Sequence, residues 1–140
     1  MRGIDHACVR VRDFEAALAW YEEKLGFAVE KRWTLEQVPG VEIAYLRGPN
    51  ASRLEIIGGG DVSGLRTNQS FMEQFAIGGW NHICFASDDV DATMADLASR
   101  DVPAALPAAD YPDPGRRVAG VRDLDGNVIE ISGPLSGKAG

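Results

Sequence analysis

Apolar and polar positions alternate from Ile4 to Val11, the mark of a strand with one face buried. Asp13 follows where a helix N-cap belongs, and Phe14, Ala17, Leu18, Tyr21 and Leu25 then recur at helical spacing up to a stop at Gly26. Strands are expected at Phe27–Thr34, Val41–Arg47 and Arg53–Ile57, separated by the turn-prone runs Val38-Pro39-Gly40 and Gly48-Pro49-Asn50. Gly58 to Gly79 is looser, with a short helix expected around Asn68–Phe75. The pattern then restarts. Asn81–Ala86 reads as a strand, Asp89 caps a helix that carries Val90, Thr93, Met94 and Leu97 on one face, and Val102-Pro103 ends it. A short strand near Pro103–Leu106, a Pro- and Asp-rich loop from Ala108 to Arg116 that could act as a lid, and a hairpin complete the chain. That hairpin pairs Arg117–Arg122 with Asn127–Ser132 across Asp123-Leu124-Asp125-Gly126.

Each half therefore reads βαβββ, an α+β arrangement, and the two halves superimpose as sequences. Asp5-His6-Ala7-Cys8-Val9 falls on Asn81-His82-Ile83-Cys84-Phe85 at an offset of 76, and Leu54-Glu55-Ile56 falls on Ile129-Glu130-Ile131 at an offset of 75. The expected organisation is a first module over 1–58, a connecting segment over 59–79, a second module over 80–134 and a tail over 135–140, all in one structural domain.

Strand parity assigns faces to these residues. His6, Cys8 and Arg10 share one face, as do His82, Cys84 and Ala86, while Glu55 and Glu130 each project opposite to an apolar pair. With the apolar faces under the helices, all four His and Glu side chains project from the uncovered, concave faces, where a pseudo-twofold axis would bring them together. The chain's 2 histidines both sit in this repeat, which makes a ligand role the stronger reading for the set. Imidazole and carboxylate donors suit a first-row divalent ion, and two carboxylates cancel its charge. Open coordination positions would take two neighbouring substrate oxygens and stabilise an enediolate, with a carboxylate that loosens from the ion as base.

Composition narrows the partners. A net charge of −7 over 140 residues repels phosphate backbones, so neither nucleic acid nor an anionic membrane is expected. Met1 to Asp13 lacks the apolar run of a signal peptide and no stretch is long enough to span a bilayer, so a cytoplasmic protein is expected. Cys8 and Cys84 are expected to be buried free thiols. Trp33, Tyr45, Trp80, Phe71 and Met72 read as core or as the lining of a substrate pocket, Arg53 shares the parity of Glu55, and Glu36 and Glu42 read as solvated surface.

The run His6-x-Cys8-x-Arg10, the segment Asp13-Phe14-Glu15-Ala16-Ala17 leading to Trp20-Tyr21 and Leu25-Gly26-Phe27, His82-Ile83-Cys84-Phe85, and Asp123-x-Asp125-Gly126-Asn127-x-Ile129-Glu130 together resemble the vicinal oxygen chelate superfamily. That group includes glyoxalase I, methylmalonyl-CoA epimerase, extradiol dioxygenases and antibiotic-resistance proteins. The resemblance spans Ile4 to Pro134 and implies paired βαβββ modules forming a cupped, barrel-like mixed sheet around one divalent metal. His6, Glu55, His82 and Glu130 match the ligand positions of the glyoxalase I branch, with Glu130 or Glu55 shuttling a proton and Arg10 matching an arginine that helps to hold glutathione. Nickel, cobalt or zinc is the expected ion, with manganese or iron as alternatives, and a homodimer acting on a small molecule is the expected assembly. Gly58-Gly59-Gly60 stands where those glyoxalases place an asparagine, and Glu55 where the epimerases commonly have glutamine. Dioxygenases of this superfamily use two His and one Glu, and the drug-binding members lack the ligands, so the intact tetrad favours the glyoxalase-type lyases and isomerases.

Overall fold

The computed structural model describes residues 3–64, 70, 73–76 and 78–137, without the side chains of 74 and 75. The chain divides into two compact units, Met1–Leu65 and Arg66–Gly140.

In the first unit, β1 (Ala7–Arg10) leads to α1 (Phe14–Leu25) and then to β2 (Ala28–Thr34), β3 (Val41–Arg47) and β4 (Arg53–Gly59). The Asp13 carboxylate accepts the Ala16 N–H at 3.0 Å and so caps α1, and Gly26 ends the helix at φ 70°, a conformation that costs glycine nothing. The strands form one sheet in the order β1-β4-β3-β2, parallel between β1 and β4 and antiparallel elsewhere. α1 packs on β4 and β2. Phe14, Ala17, Leu18 and Tyr21 on the helix and Ala44, Leu46, Leu54 and Ile56 on the sheet are buried. Those sheet residues have the parity opposite to Glu55, as expected.

The second unit repeats the plan with β5 (His82–Ala86), α2 (Val90–Ser99), β6 (Leu106–Tyr111), β7 (Arg116–Arg122) and β8 (Val128–Gly133) in the order β5-β8-β7-β6. Asp89 caps α2 through the Ala92 N–H at 2.9 Å, and Val90, Leu97, Ala119, Val121, Ile129 and Ile131 are buried. The turn between β7 and β8 is organised by Asp123, whose carboxylate accepts the N–H groups of Asp125 and Asn127 and the Asn127 side-chain amide at 2.8–2.9 Å. This turn sets the register that places Glu130 opposite Cys84 on one side and Gly120 on the other.

Three expectations need correction. The strand expected near Pro103–Leu106 begins at Leu106 and runs to Tyr111, because Pro107 is absorbed in an irregularity of the β6–β7 pairing between Leu106 and Ala109. The lid expected over Ala108–Arg116 therefore shrinks to the turn between the two strands, closed by Gly115 N–H to Pro112 O at 3.0 Å. Cys8 and Cys84 are free but exposed, because they lie on the sheet faces that the helices leave uncovered. Of the short helix expected around Asn68–Phe75, a 3-10 turn at Glu73–Ala76 is seen, and the remainder, with Phe71 and Met72, lies outside the described residues. No helix among the described residues is long and apolar enough to cross a membrane.

Candidate functional site

The parallel pairing of β1 with β4 sets Cys8 opposite Glu55, and His6, two positions before Cys8, projects from the same face. His6 Nε2 lies 3.7 Å from Glu55 Oε2. In the second unit β5 and β8 pair in the same register, and His82 Nε2 lies 3.6 Å from Glu130 Oε2. The structure thus brings the four predicted ligands together as two equivalent His–Glu pairs, one in each unit. Among the described residues no group of three or more His, Cys, Asp or Glu side chains gathers at metal-binding distance.

What the second ring nitrogen does decides what each pair can bind. His6 Nδ1 is 2.9 Å from Asp5 Oδ2, and His82 Nδ1 is 3.0 Å from Asn81 Oδ1. Both oxygens only accept, so each Nδ1 carries the hydrogen. In its neutral form the ring then presents the lone pair of Nε2 to a carboxylate. Two electron-rich groups at that separation, beyond hydrogen-bond reach, are stable around a cation. The donors are a hard carboxylate and an imidazole oriented by its neighbour, which suits a first-row divalent ion. The sequence reading did not single out Asp5 and Asn81, although their places immediately before the two histidines are visible in the repeat.

Each glutamate also touches a thiol. Packing around the sulfur, and then the adjacent Glu55 carboxylate, push the Cys8 thiol up to about 12. Packing and Glu130 do the same to Cys84, also to about 12, against a smaller opposing effect of Arg116. Asp5 is held below the usual carboxylate range by the His6 N–H and then by Arg53.

Around the pairs the two units differ. Tyr45 stands opposite Glu55, meets His6 in a tilted contact with ring centroids 5.3 Å apart and Trp33 edge-on at 4.7 Å, while the Arg53 guanidinium lies 5.1 Å from its ring centroid. Arg53 is in turn ion-paired with Asp5 at 3.4 Å and Glu30 at 3.3 Å. The second unit has Gly120 opposite Glu130, and Arg116 beside Ser132. Trp80 is 95% exposed. Glu36 is exposed, and Glu42 is part of a surface ion pair with Arg32.

Arg10 is held by the backbone of its own unit. Its guanidinium donates to the carbonyls of Val11 at 2.9 Å, Ile57 at 3.0 Å and Gly59, clamping the ends of β1 and β4. A backbone clamp of this kind is invisible in a linear sequence, because its acceptors are carbonyls 47 and 49 residues away.

A family model described as the Glyoxalase/Bleomycin resistance protein/Dioxygenase superfamily matches residues 3–131. Among solved structures, a glyoxalase family protein from Enterococcus faecalis is similar with a TM-score of 0.78 at 19% identity, covering 94% of this chain and 97% of that one. The trypanothione-dependent glyoxalase I of Leishmania major has a TM-score of 0.65 at 25% identity, covering 95% of this chain and 87% of that one. The fosfomycin resistance protein FosX of Listeria monocytogenes has a TM-score of 0.71 at 16% identity, covering 97% of this chain and 96% of that one. No curated protein matches the sequence at a significant level.

Proposed function

The chain belongs to the Glyoxalase/Bleomycin resistance protein/Dioxygenase superfamily, and on that premise we propose that it is a divalent-metal-dependent lyase or isomerase of the glyoxalase I type. The reading is carried by one observation: a histidine with its Nδ1–H tied back and its Nε2 facing a glutamate occurs twice, at equivalent places, with separations of 3.7 and 3.6 Å. His6, Glu55, His82 and Glu130 are the residues that would hold the ion, with nickel, cobalt or zinc as the candidates. When bound, the ion supplies a Lewis acid that polarises a substrate carbonyl.

The protein's own part is to move the proton. Glu55 and Glu130 each stand opposite a cysteine in the sheet register, Cys8 and Cys84, and the Cys84 thiol itself donates to the Phe85 carbonyl at 3.9 Å. A thiol is a weak donor, so either carboxylate can turn to a substrate carbon at little cost and act as the base. Asp5 and Asn81 hold the imidazoles in the tautomer that leaves Nε2 basic. The Leishmania relative, a glyoxalase I, supports this reaction class at 25% identity.

Elemental analysis of the untagged protein tests the reading. The expected result is close to one divalent ion per chain, lost from both His6→Ala and His82→Ala. A wild-type chain that takes up no nickel, cobalt or zinc after incubation with each would overturn it and direct attention to a metal-free binding protein.

A further inference from the structure

Arg116 differs in its partners from six other described arginines. Arg32, Arg47, Arg53, Arg100 and Arg117 each meet a carboxylate, and Arg10 is bound to backbone carbonyls. Arg116 meets no acid among the described residues. Its Nε donates to Ser132 Oγ at 3.1 Å, and its Nη2 lies 3.5 Å from Ser132 O.

Ser132 is 8% exposed and stands two positions after Glu130 on β8, on the same face. The guanidinium is therefore pinned along one edge to a buried group of the site-bearing face. Of its five N–H donors, Ser132 takes those on the Nε edge, and the Nη1/Nη2 end of the fork has no acceptor among the described residues. On this face Val118 and Ala86 stand opposite Ser132 and Gly120 stands opposite Glu130, and Arg116 itself is exposed. On a chain of net charge −7, an oriented arginine without an acid partner calls for an acceptor from outside the protein.

We propose that Arg116 anchors an anionic group of the substrate, and that the substrate is a small carboxylic acid whose reacting carbonyl lies at the His82–Glu130 pair. A planar fork matches a carboxylate in two parallel hydrogen bonds, which a neutral oxygen cannot equal. Two residues along a strand span about 7 Å, so the carboxylate stands about four to six bonds from the reacting carbonyl. The inference rests on the metal-dependent reading for its carbonyl end and on Arg116 alone for its anionic end.

Two hydroxamates of equal chain length separate the two ends: pentanohydroxamate, which is neutral beyond its chelating oxygens, and glutarate monohydroxamate, which carries a carboxylate there. On nickel-loaded protein the second is expected to bind at least about tenfold more tightly. Arg116→Gln should abolish that advantage and Arg116→Lys should restore part of it, with pentanohydroxamate binding unchanged throughout. Equal affinities in the wild type, or an advantage that survives Arg116→Gln, overturns the proposal. A chain that takes up no nickel overturns the metal reading alone, and the arginine is then decided on metal-free protein titrated with glutarate. A saturable shift of the Arg116 Nε–H resonance sustains the anion site, and an unmoved resonance overturns it.

Discussion

Asp5 and Asn81 hold the same place in the two units and differ by a charge. Both accept the Nδ1–H of the next residue's imidazole, at 2.9 and 3.0 Å. Removing such a partner typically lowers metal affinity about 10–100-fold, because the ring is no longer held in its ligating tautomer. Asp5→Ala is therefore expected to lose that much nickel affinity in competition with a chromophoric chelator. Asp5→Asn, which copies the second unit, should stay within a few-fold of the wild type. Equal losses in both variants would point instead to the ion pair of Asp5 with Arg53. The thiols give a second expectation at this scale. With its pKa moved from 9.0 to about 12, each cysteine stays protonated at pH 8 although its residue is exposed. Maleimide labelling of the folded protein at pH 8 should run at least about tenfold slower than in urea, and Glu55→Gln should accelerate Cys8 in a Cys84→Ser background. Because the folded value lies above the unfolded one, the contribution of these thiols to stability is complete below pH 9 and is lost as the pH rises toward 12. The midpoint of urea unfolding should accordingly fall between pH 8.5 and pH 11, by less in the Cys8→Ser/Cys84→Ser double variant. The His and Glu positions were legible in the sequence because alternation and repetition both mark them. The hydrogen bonds of Arg10 and Arg116 were not, since apart from the Val11 carbonyl their acceptors lie 16 to 49 residues away along the chain.

Two glycines carry the helix–sheet contact in both units. A Cβ on Gly58 would lie 2.4 Å from the Phe14 Cβ and 2.8 Å from its Cα, at the start of α1. A Cβ on Gly133, 75 residues later, would lie 2.5 Å from the Ser87 carbonyl oxygen and 2.9 Å from Val90, at the start of α2. The first glycine of the Gly58-Gly59-Gly60 run thus has a packing reason, and Gly59 a second one, at φ 71° against the Gly40 carbonyl. Gly58→Ala and Gly133→Ala must each push a helix start off its sheet, at a cost of about 1–3 kcal/mol in urea unfolding. Gly78→Ala, where a Cβ meets nothing within 4 Å, should be neutral or slightly stabilising. Helices and their caps were readable because Asp13, Asp89 and Gly26 act on neighbours within four residues. The start of β6 was not, because Pro107 reads as a strand breaker in isolation and is tolerated only where the pairing with β7 is already irregular.

For the whole molecule, the outer strands pose the question of assembly. β1 and β5 each lie at the end of a four-stranded sheet, with one backbone edge unpaired inside its own sheet. Three residues before β1 stands Ile4, 91% exposed, and two before β5 stands Trp80, 95% exposed, at places 76 residues apart. A large apolar side chain in water beside an open strand edge is a liability that proteins usually cover. Its repetition in both units, on a surface otherwise rich in charge, argues that the covering is part of the design, and we propose that a second copy of the chain takes part in it. Light scattering coupled to gel filtration should then give twice the 15.1 kDa chain mass at micromolar concentration. Trp80→Ser should shift the population toward the single chain and, by removing an exposed indole, lower the long-wavelength part of the tryptophan emission. Because Trp80 stands two residues before His82, the same variant should bind metal less tightly if the covered edge supports the site, and nickel titration of Trp80→Ser at concentrations above and below its dissociation midpoint separates the two effects. A wild-type mass of 15.1 kDa under these conditions would show that one chain is sufficient, and the exposed pair would then have to be explained without a second copy.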